Sequence, residues 1–575
     1  MLNKLKLQYL VFFLISMPIN AQVIGDNNTP ESIAVLKSIG EEKVTLHYSN
    51  STLLSGENFF FKFYCKNDKN LPSDASKIGY VELVNEDLNV VIKQKILLKD
   101  GTGYSDFFIP TNLTTGGYKL IAYTNWMKNW GIDNFFQDDI FIINPFKSQK
   151  NILELADNME HTDLLVIKDT EYLTKNLIIS LDENIIKERQ KVNVKVSTTN
   201  FDLDSGSYSV FVQKVENLKF KKYKSSAIEK KEVQSTQFYI PELRGELISG
   251  FLTNNQSKEK ITNQIFTFNI PGKNYQLQTL KTDNQGKFII DFDNNSEVNF
   301  GLIELINEFD IDFNVTIDNK ETIDYGKLNF IKIKLDAMLK DDIVNRSIHN
   351  QIENAYYNVR PDTIILSQKK KPFYGDLGAK YYLDDFTRFP SFKETIVEII
   401  DDVWISNDQN GYEVLKIKSY GEQYSDGSYK PLLIVDGIRL NTIKDLINYN
   451  TQNIKSITIV REKYILGANI FSGILDIETF NGDFGKSTNY SDAIKFTINP
   501  TSPKKKYFRQ AYYSDSIRIP DYRHILYWNP EFIINKKDTH FDFYTSDVKG
   551  EFIISIKGFT FSGKPVDIEK EFIVQ

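Results

Sequence analysis

The residues able to carry chemistry are few and scattered. The five histidines, His47, His161, His349, His524 and His540, form no His-Glu-x-x-His pair and no other zinc-ligand spacing, so no metal site is expected. The sequence also lacks a Gly-x-Ser-x-Gly elbow and a Gly-x-x-x-x-Gly-Lys-Ser/Thr loop; Gly101-Thr102-Gly103 has neither the remaining glycine nor the helix that phosphate binding needs. Asp202 and Asp204 before Gly206 bring carboxylates suited to calcium, but the rest of a ligand loop is missing and a hydrated turn is expected. Asp341-Asp342 and Asp401-Asp402 read as helix and turn residues. No catalytic residue, metal ligand set or cofactor is expected, which leaves binding. Trp, Tyr and Arg dominate interaction hot spots, so Trp126, Trp130, Tyr522 and Arg523 are the candidate interaction residues. The competing expectation is that these aromatics seal sandwich edges.

The elements that would position them are mostly strands. At 575 residues the chain exceeds one hydrophobic core and divides into several domains of roughly 100–150 residues. Its 41 Phe and 31 Tyr fall in short runs with Ile and Val, the composition of pleated, half-buried surfaces. A net charge of −7 gives no general attraction to phosphate backbones, so nucleic acid is not an expected partner. The clusters Lys221-Lys222-Lys224, Lys369-Lys370-Lys371 and Lys504-Lys505-Lys506 read as solvated loops.

Lys4 and Lys6 precede the apolar run Tyr9 to Ile15, followed by Ser16, Pro18 and a cleavage position after Ala21, the layout of a secretory signal peptide. The run is shorter than the ~20 residues that cross a bilayer, which disfavours a retained anchor. No Cys follows the cleavage position, which disfavours a diacyl anchor, and the single Cys65 lies in a strand-like run, so packing rather than a disulfide must stabilise the fold.

Along the chain, Val44–Tyr48, Asn58–Tyr64, Tyr80–Leu83 and Val90–Ile92 read as strands of a first sandwich. Leu177–Leu181, the alternation Val192-Asn193-Val194-Lys195-Val196, and Tyr208–Val212 suggest a second. Val344, Ile348, Ile352 and Tyr356 recur at four-residue spacing after Asp341-Asp342, predicting a connector helix whose apolar face packs on a neighbouring sheet.

The segment Gly117–Trp130, with Phe135-Phe136 and Ile140-Phe141-Ile142, resembles the macroglobulin-like β-sandwich of large exported proteins from Bacteroidetes-type bacteria. In macroglobulins the protease-trapping thioester needs Gly-Cys-Gly-Glu-Gln; here Ser419-Tyr420-Gly421-Glu422-Gln423 has Tyr where the thiol is required. Pro241–Gly250 through Thr282–Ile290 resembles a carboxypeptidase-regulatory-like sandwich, which implies no peptidase.

Leu432-Leu433-Ile434-Val435-Asp436-Gly437, a short helix within Ile443–Tyr449, the strand Ile454–Val460, and Gly467-Ala468 to Ser472-Gly473-Ile474-Leu475 resemble, in order, the plug domain of TonB-dependent outer-membrane receptors. Asp436-Gly437 would supply a tight turn, and Gly467 and Gly473 close backbone approach; these are structural signature residues. A receptor adds a barrel of about 22 strands of roughly 9–11 residues, which residues 481–575 are too few to build. The resemblance therefore implies a plug fold without transport. The tail, from Pro520-Asp521-Tyr522 to Val574, resembles the closing sandwich of the same envelope proteins.

The expected fold is mainly β and multidomain, with macroglobulin/immunoglobulin-like β-sandwiches plus one α+β plug-like domain. Its expected organisation is a signal peptide at 1–21, a macroglobulin-like sandwich at 22–145, and a second sandwich with linker at 146–235. A carboxypeptidase-regulatory-like sandwich at 236–330, a helical connector at 331–384, a plug-like domain at 385–482 and a C-terminal sandwich at 483–575 follow. The expected role is that of a non-enzymatic scaffold in the periplasm or at the outer membrane, in peripheral membrane association. Its expected partner is an outer-membrane β-barrel or another envelope protein. Two alternatives stand beside it: an accessory subunit of an outer-membrane transport or assembly complex, and a macroglobulin-like endopeptidase inhibitor without a thioester.

Overall fold

A computed structural model describes residues 36, 38–147, 177–198, 203, 205–215, 238–293, 298–306, 312–318, 323–330, 339–366, 371–418, 429–467, 469–487, 493–513, 518–535 and 538–575. The signal peptide, Lys221-Lys222-Lys224, Lys369-Lys370, Asp202, Asp204 and the fragment Ser419–Gln423 lie outside the described residues. Within them the chain is mainly β and multidomain, the class expected from its composition. No described helix is long and apolar enough to cross a membrane.

The N-terminal sandwich packs a three-stranded sheet (Glu42–Tyr48, Asn58–Asn67, Thr102–Phe108) on a five-stranded one that includes Ile78–Asn85 and Gly116–Thr124. Alternation along Asn58–Asn67 turns Phe59, Phe61 and Phe63 into one core with Tyr80 and Leu120, where Cys65 is also buried.

The expectation of two further separate sandwiches, at 146–235 and 483–575, is corrected by the strand pairing. Gly206–Lys214 lies between Gly550–Thr560 and Ile525–Phe532 in one sheet. Lys191–Thr198 pairs with Asp538–Tyr544 in the other, with Val194 opposite Phe541. Val194, Val210, Phe543 and Ile556 share one core, so the two sequence segments build a single composite sandwich. Each segment alone carries too few strands to cover its own apolar face.

An accessory sandwich spans Glu246 to Ile317, and its four-stranded sheet gains Ile494–Thr497 as an outer strand. Against it stands an α/β unit whose sheet runs Ala379–Tyr382, Ile454–Val460, Ile474–Thr479, Leu432–Val435, Ile438–Leu440. Its helix Phe392–Ile399 starts at a capping box made by Ser391 and Glu394. Phe268, Phe292 and Leu302 of the sandwich sit in one apolar cluster with Ile396, Val435 and Ile477 of the α/β unit. Arg439 of the edge strand forms a bidentate pair with Glu304, at 2.9 and 2.5 Å, across the same joint.

The predicted helix is present over Lys340–Ala355, but its packing face is not the predicted one. Val344 and Ile348 are 45% and 48% exposed, while Arg346 and Ser347 are buried. Arg346 points at the N-terminal sandwich and holds Glu57 through two bonds of 2.6 and 2.7 Å. A bidentate guanidinium–carboxylate pair fixes orientation more firmly than the apolar stripe would.

Candidate binding site

The helix Lys340–Ala355 is clamped at one end of the N-terminal sandwich, where Asn350 and Asn354 also donate to the carbonyls of Ser55 and Gly56, at 3.2 and 2.9 Å. That clamp turns His349 and Glu353, one turn apart, toward the composite sandwich. The His349 ring stacks on Tyr522 at 4.5 Å with an interplanar angle of 9°, and its Nδ1 lies 3.2 Å from His524 Nε2. Glu353 accepts from the Tyr522 amide at 2.6 Å and from Arg360 at 2.5 Å. Arg523 grips the buried Asp521 at 2.7 and 2.8 Å, and Tyr512 donates to the same carboxylate. Between these walls lies a cleft of about 220 Å³, lined by Asn50, Phe60, Tyr357, Phe508, Tyr522 and others.

Its electrostatics follow from matched charges. Burial raises the Asp521 carboxyl, but attraction and hydrogen bonds from Arg523 outweigh it and hold the group below the usual range. For Glu353 burial wins over Arg360 and the carboxyl is raised. Burial, followed by His524 and Lys214, pushes His349 down to about 4. With Arg346, Arg360 and Arg523 each paired to a carboxylate, the cleft is no ready receptor for an anion.

A second polar cluster joins the N-terminal and composite sandwiches, and motif reading missed it because its members lie far apart in sequence. His47 Nδ1 sits 2.6 Å from Ser209 Oγ, which is also 3.0 Å from Tyr64 Oη. Lys62 donates to Ser207 Oγ at 2.7 Å and to the Tyr208 carbonyl at 2.9 Å. A hydroxyl beside an imidazole is the beginning of a nucleophilic site, but His47, Lys62, Tyr64 and Ser209 are all buried between two domains with no room for a substrate. Burial pushes Lys62 down to about 7 and His47 below its usual value.

The signature residues Asp436, Gly437, Gly467 and Gly473 hold the α/β unit together and hold it to its neighbour. Asp436 and Gly437 form the turn, with φ of +49° and +85°. The Asp436 carboxylate accepts from the Thr479 amide (2.8 Å), the Thr479 hydroxyl (2.6 Å) and the Phe484 amide (3.1 Å). Gly437 abuts Tyr275 so closely that any Cβ would overlap the ring, and Asn269 donates to its carbonyl. A Cβ on Gly473 would fall 2.6 Å from the Val460 carbonyl, and one on Gly467 2.9 Å from Thr279.

The α/β unit also carries a run of outward apolar side chains. Ala379–Tyr382 is an outer strand of its sheet, and Tyr382 pairs in register with Ser456. At that end of the sheet Tyr382, Phe386 and Phe480 are 45%, 43% and 41% exposed, and Arg388 stacks over Phe480 at 5.4 Å. The opposite outer strand, Ile438–Leu440, is covered by the accessory sandwich through Arg439.

The four candidate interaction residues divide. Trp126 is fully buried and donates from Nε1 to the Gly40 carbonyl at 2.7 Å, so it seals the N-terminal sandwich. Trp130 is half-buried, edge-on to Trp126 at 5.1 Å. Tyr522 and Arg523 line the cleft, partly buried. Of the lysine clusters, Lys505 is a structural residue, paired with Asp106 at 2.9 Å, and Lys504 pairs with Glu531 at 2.5 Å. Among the described residues no three or more His, Cys, Asp or Glu converge as metal ligands.

No protein-family model matches the chain, and no curated protein matches it. Solved structures of low similarity include Salmonella alpha-2-macroglobulin reacted with methylamine, at 8% identity and a TM-score of 0.24, over 93% of this chain and 39% of that one. The native conformation of E. coli alpha-2-macroglobulin also has 8% identity and a TM-score of 0.24, over 93% of this chain and 40% of that one. The Yersinia pseudotuberculosis adhesin InvE has 11% identity and a TM-score of 0.12, over 48% and 57%. The chain spans about two fifths of the length of these macroglobulins, and likeness at this level carries no argument.

Proposed function

We propose that the chain is an exported, non-enzymatic scaffold of the cell envelope that presents its plug-like α/β unit to an outer-membrane protein. The observation that carries this reading is the exposed group Tyr382, Phe386 and Phe480 at and beside the outer strand Ala379–Tyr382 of the α/β sheet. Large aromatics exposed at a sheet edge and on the turns beside it offer contact area with little side-chain entropy to lose, the makeup of interface hot spots. The Ser209–His47 pair is buried between two sandwiches.

The test is a mild-detergent pull-down from envelope fractions with the full chain and with a Tyr382→Ser, Phe386→Ser, Phe480→Ser variant. Stoichiometric recovery of a barrel protein by the wild type, lost in a variant with unchanged thermal unfolding, is the expected result. Recovery that is equal with both proteins would remove this face from the proposal, and recovery of no partner would remove the proposal itself.

A further inference from the structure

Where the composite sandwich meets its neighbours, bases face hydroxyls, a carbonyl and another base, beside the bond from the Tyr522 amide to Glu353. On one side His47 meets Ser209, and Lys62 meets Ser207 and the Tyr208 carbonyl. On the other, His349 Nδ1 meets His524 Nε2 at 3.2 Å, a separation that holds one shared proton and not two. The charges facing these groups give an added proton little help. Lys557 and Lys62 both oppose charge on His47, and Lys214 and His524 oppose it on His349. Lys62 faces Glu531, but that carboxylate is matched by Lys504. Around His349, Glu353 is matched by Arg360, and Asp521 by Arg523.

We propose that the composite sandwich is an acid-released arm: protonation of His47 and of His349, whose Nδ1 faces His524, loosens its seat on the N-terminal sandwich and on the helix Lys340–Ala355. Release opens the cleft, because Tyr522 and His524 stand on the moving side and His349, Glu353 and Asn350 on the fixed side. The sign agrees with the depressed values of His47 and His349. A histidine held near 4 in the docked state and near 6.5 when free costs docking energy progressively as pH falls from about 6.5 to 4. Lys62, near 7 when docked and 10.5 when free, weakens the joint already between pH 10.5 and 7 and adds nothing further below. Lys62 and His349 act in one direction, in successive windows, and His47 acts in the same direction.

The experiment is small-angle X-ray scattering of the full chain at pH 8.5, 6.5 and 4.5, with far-ultraviolet circular dichroism on the same samples. The expected result is a reversible rise in radius of gyration between pH 6.5 and 4.5 with the strand signal unchanged. A His47→Gln, His349→Gln, His524→Gln variant should keep its pH 8.5 radius at pH 4.5. If that variant folds poorly, the His349→Gln, His524→Gln pair, at partly exposed positions, should still move the midpoint of opening down by about half a pH unit or more. A constant wild-type radius, loss of strand signal together with the expansion, or opening of both variants at the wild-type pH would overturn the proposal.

Discussion

Between the accessory sandwich and the α/β unit, Phe268, Phe292 and Leu302 merge with Ile396, Val435 and Ile477 into one core, crossed by the Arg439–Glu304 pair. Between the N-terminal and composite sandwiches, Phe60, Phe211 and Trp528 also pack together, but the joint encloses Lys62, His47 and Ser209. Each fully buried Leu, Ile or Phe contributes roughly 1.5–3 kcal/mol, so separating the first pair would open a continuous apolar core to water. A buried amine costs energy unless it loses its proton. The first joint is therefore part of the fold, and the second is an association between finished domains.

The largest break to this comparison comes from deleting residues 385–482. The accessory sandwich should then fail to fold, seen as loss of hydrogen-exchange protection across 246–317, while the composite sandwich keeps its own. A protected accessory sandwich would show that the merged core is dispensable. At the other joint, Lys62 makes wild-type stability rise by up to about 4 kcal/mol between pH 7 and 10, because the unfolded chain still holds the proton that the folded chain has released. Lys62→Met should flatten that rise, read from urea denaturation at several pH values; an unchanged slope would place the amine in water. The smallest of the three is Gly437→Ala, which adds a Cβ at positive φ against Tyr275 and should cost about 3 kcal/mol. A cost near zero would mean that Tyr275 yields and that this contact does not set the spacing of the two units.

What the sequence made legible was local. The alternation Val192-Asn193-Val194-Lys195-Val196 is a strand because period two survives wherever one face is buried. Nothing in those residues announces that their partner is Asp538–Tyr544, since a strand's edge carries no address, and two sandwiches were expected where one exists. The four-residue spacing from Val344 to Tyr356 gave the helix correctly. It misdirected its packing because Arg346 reads as a surface residue until Glu57 is brought opposite. Trp126 was legible as an aromatic anchor, but whether an anchor faces solvent or a core depends on the neighbouring chain. His349 and His524 are unremarkable singly and matter only as a pair 175 positions apart.

The composite sandwich also sets a timetable. Lys191–Thr198 and Gly206–Lys214 leave the ribosome long before Asp538–Tyr544 and Gly550–Thr560 exist to pair with them. Until then both present open strand edges and uncovered valines, at a stage when chain ends must still find each other across a long loop. Contacts of such wide sequence separation slow folding and lengthen exposure to aggregation. Everything from the accessory sandwich to the α/β unit is, in this sense, an insert that completes itself while its host waits. The wait is imposed by connectivity, not by the chemistry of either strand.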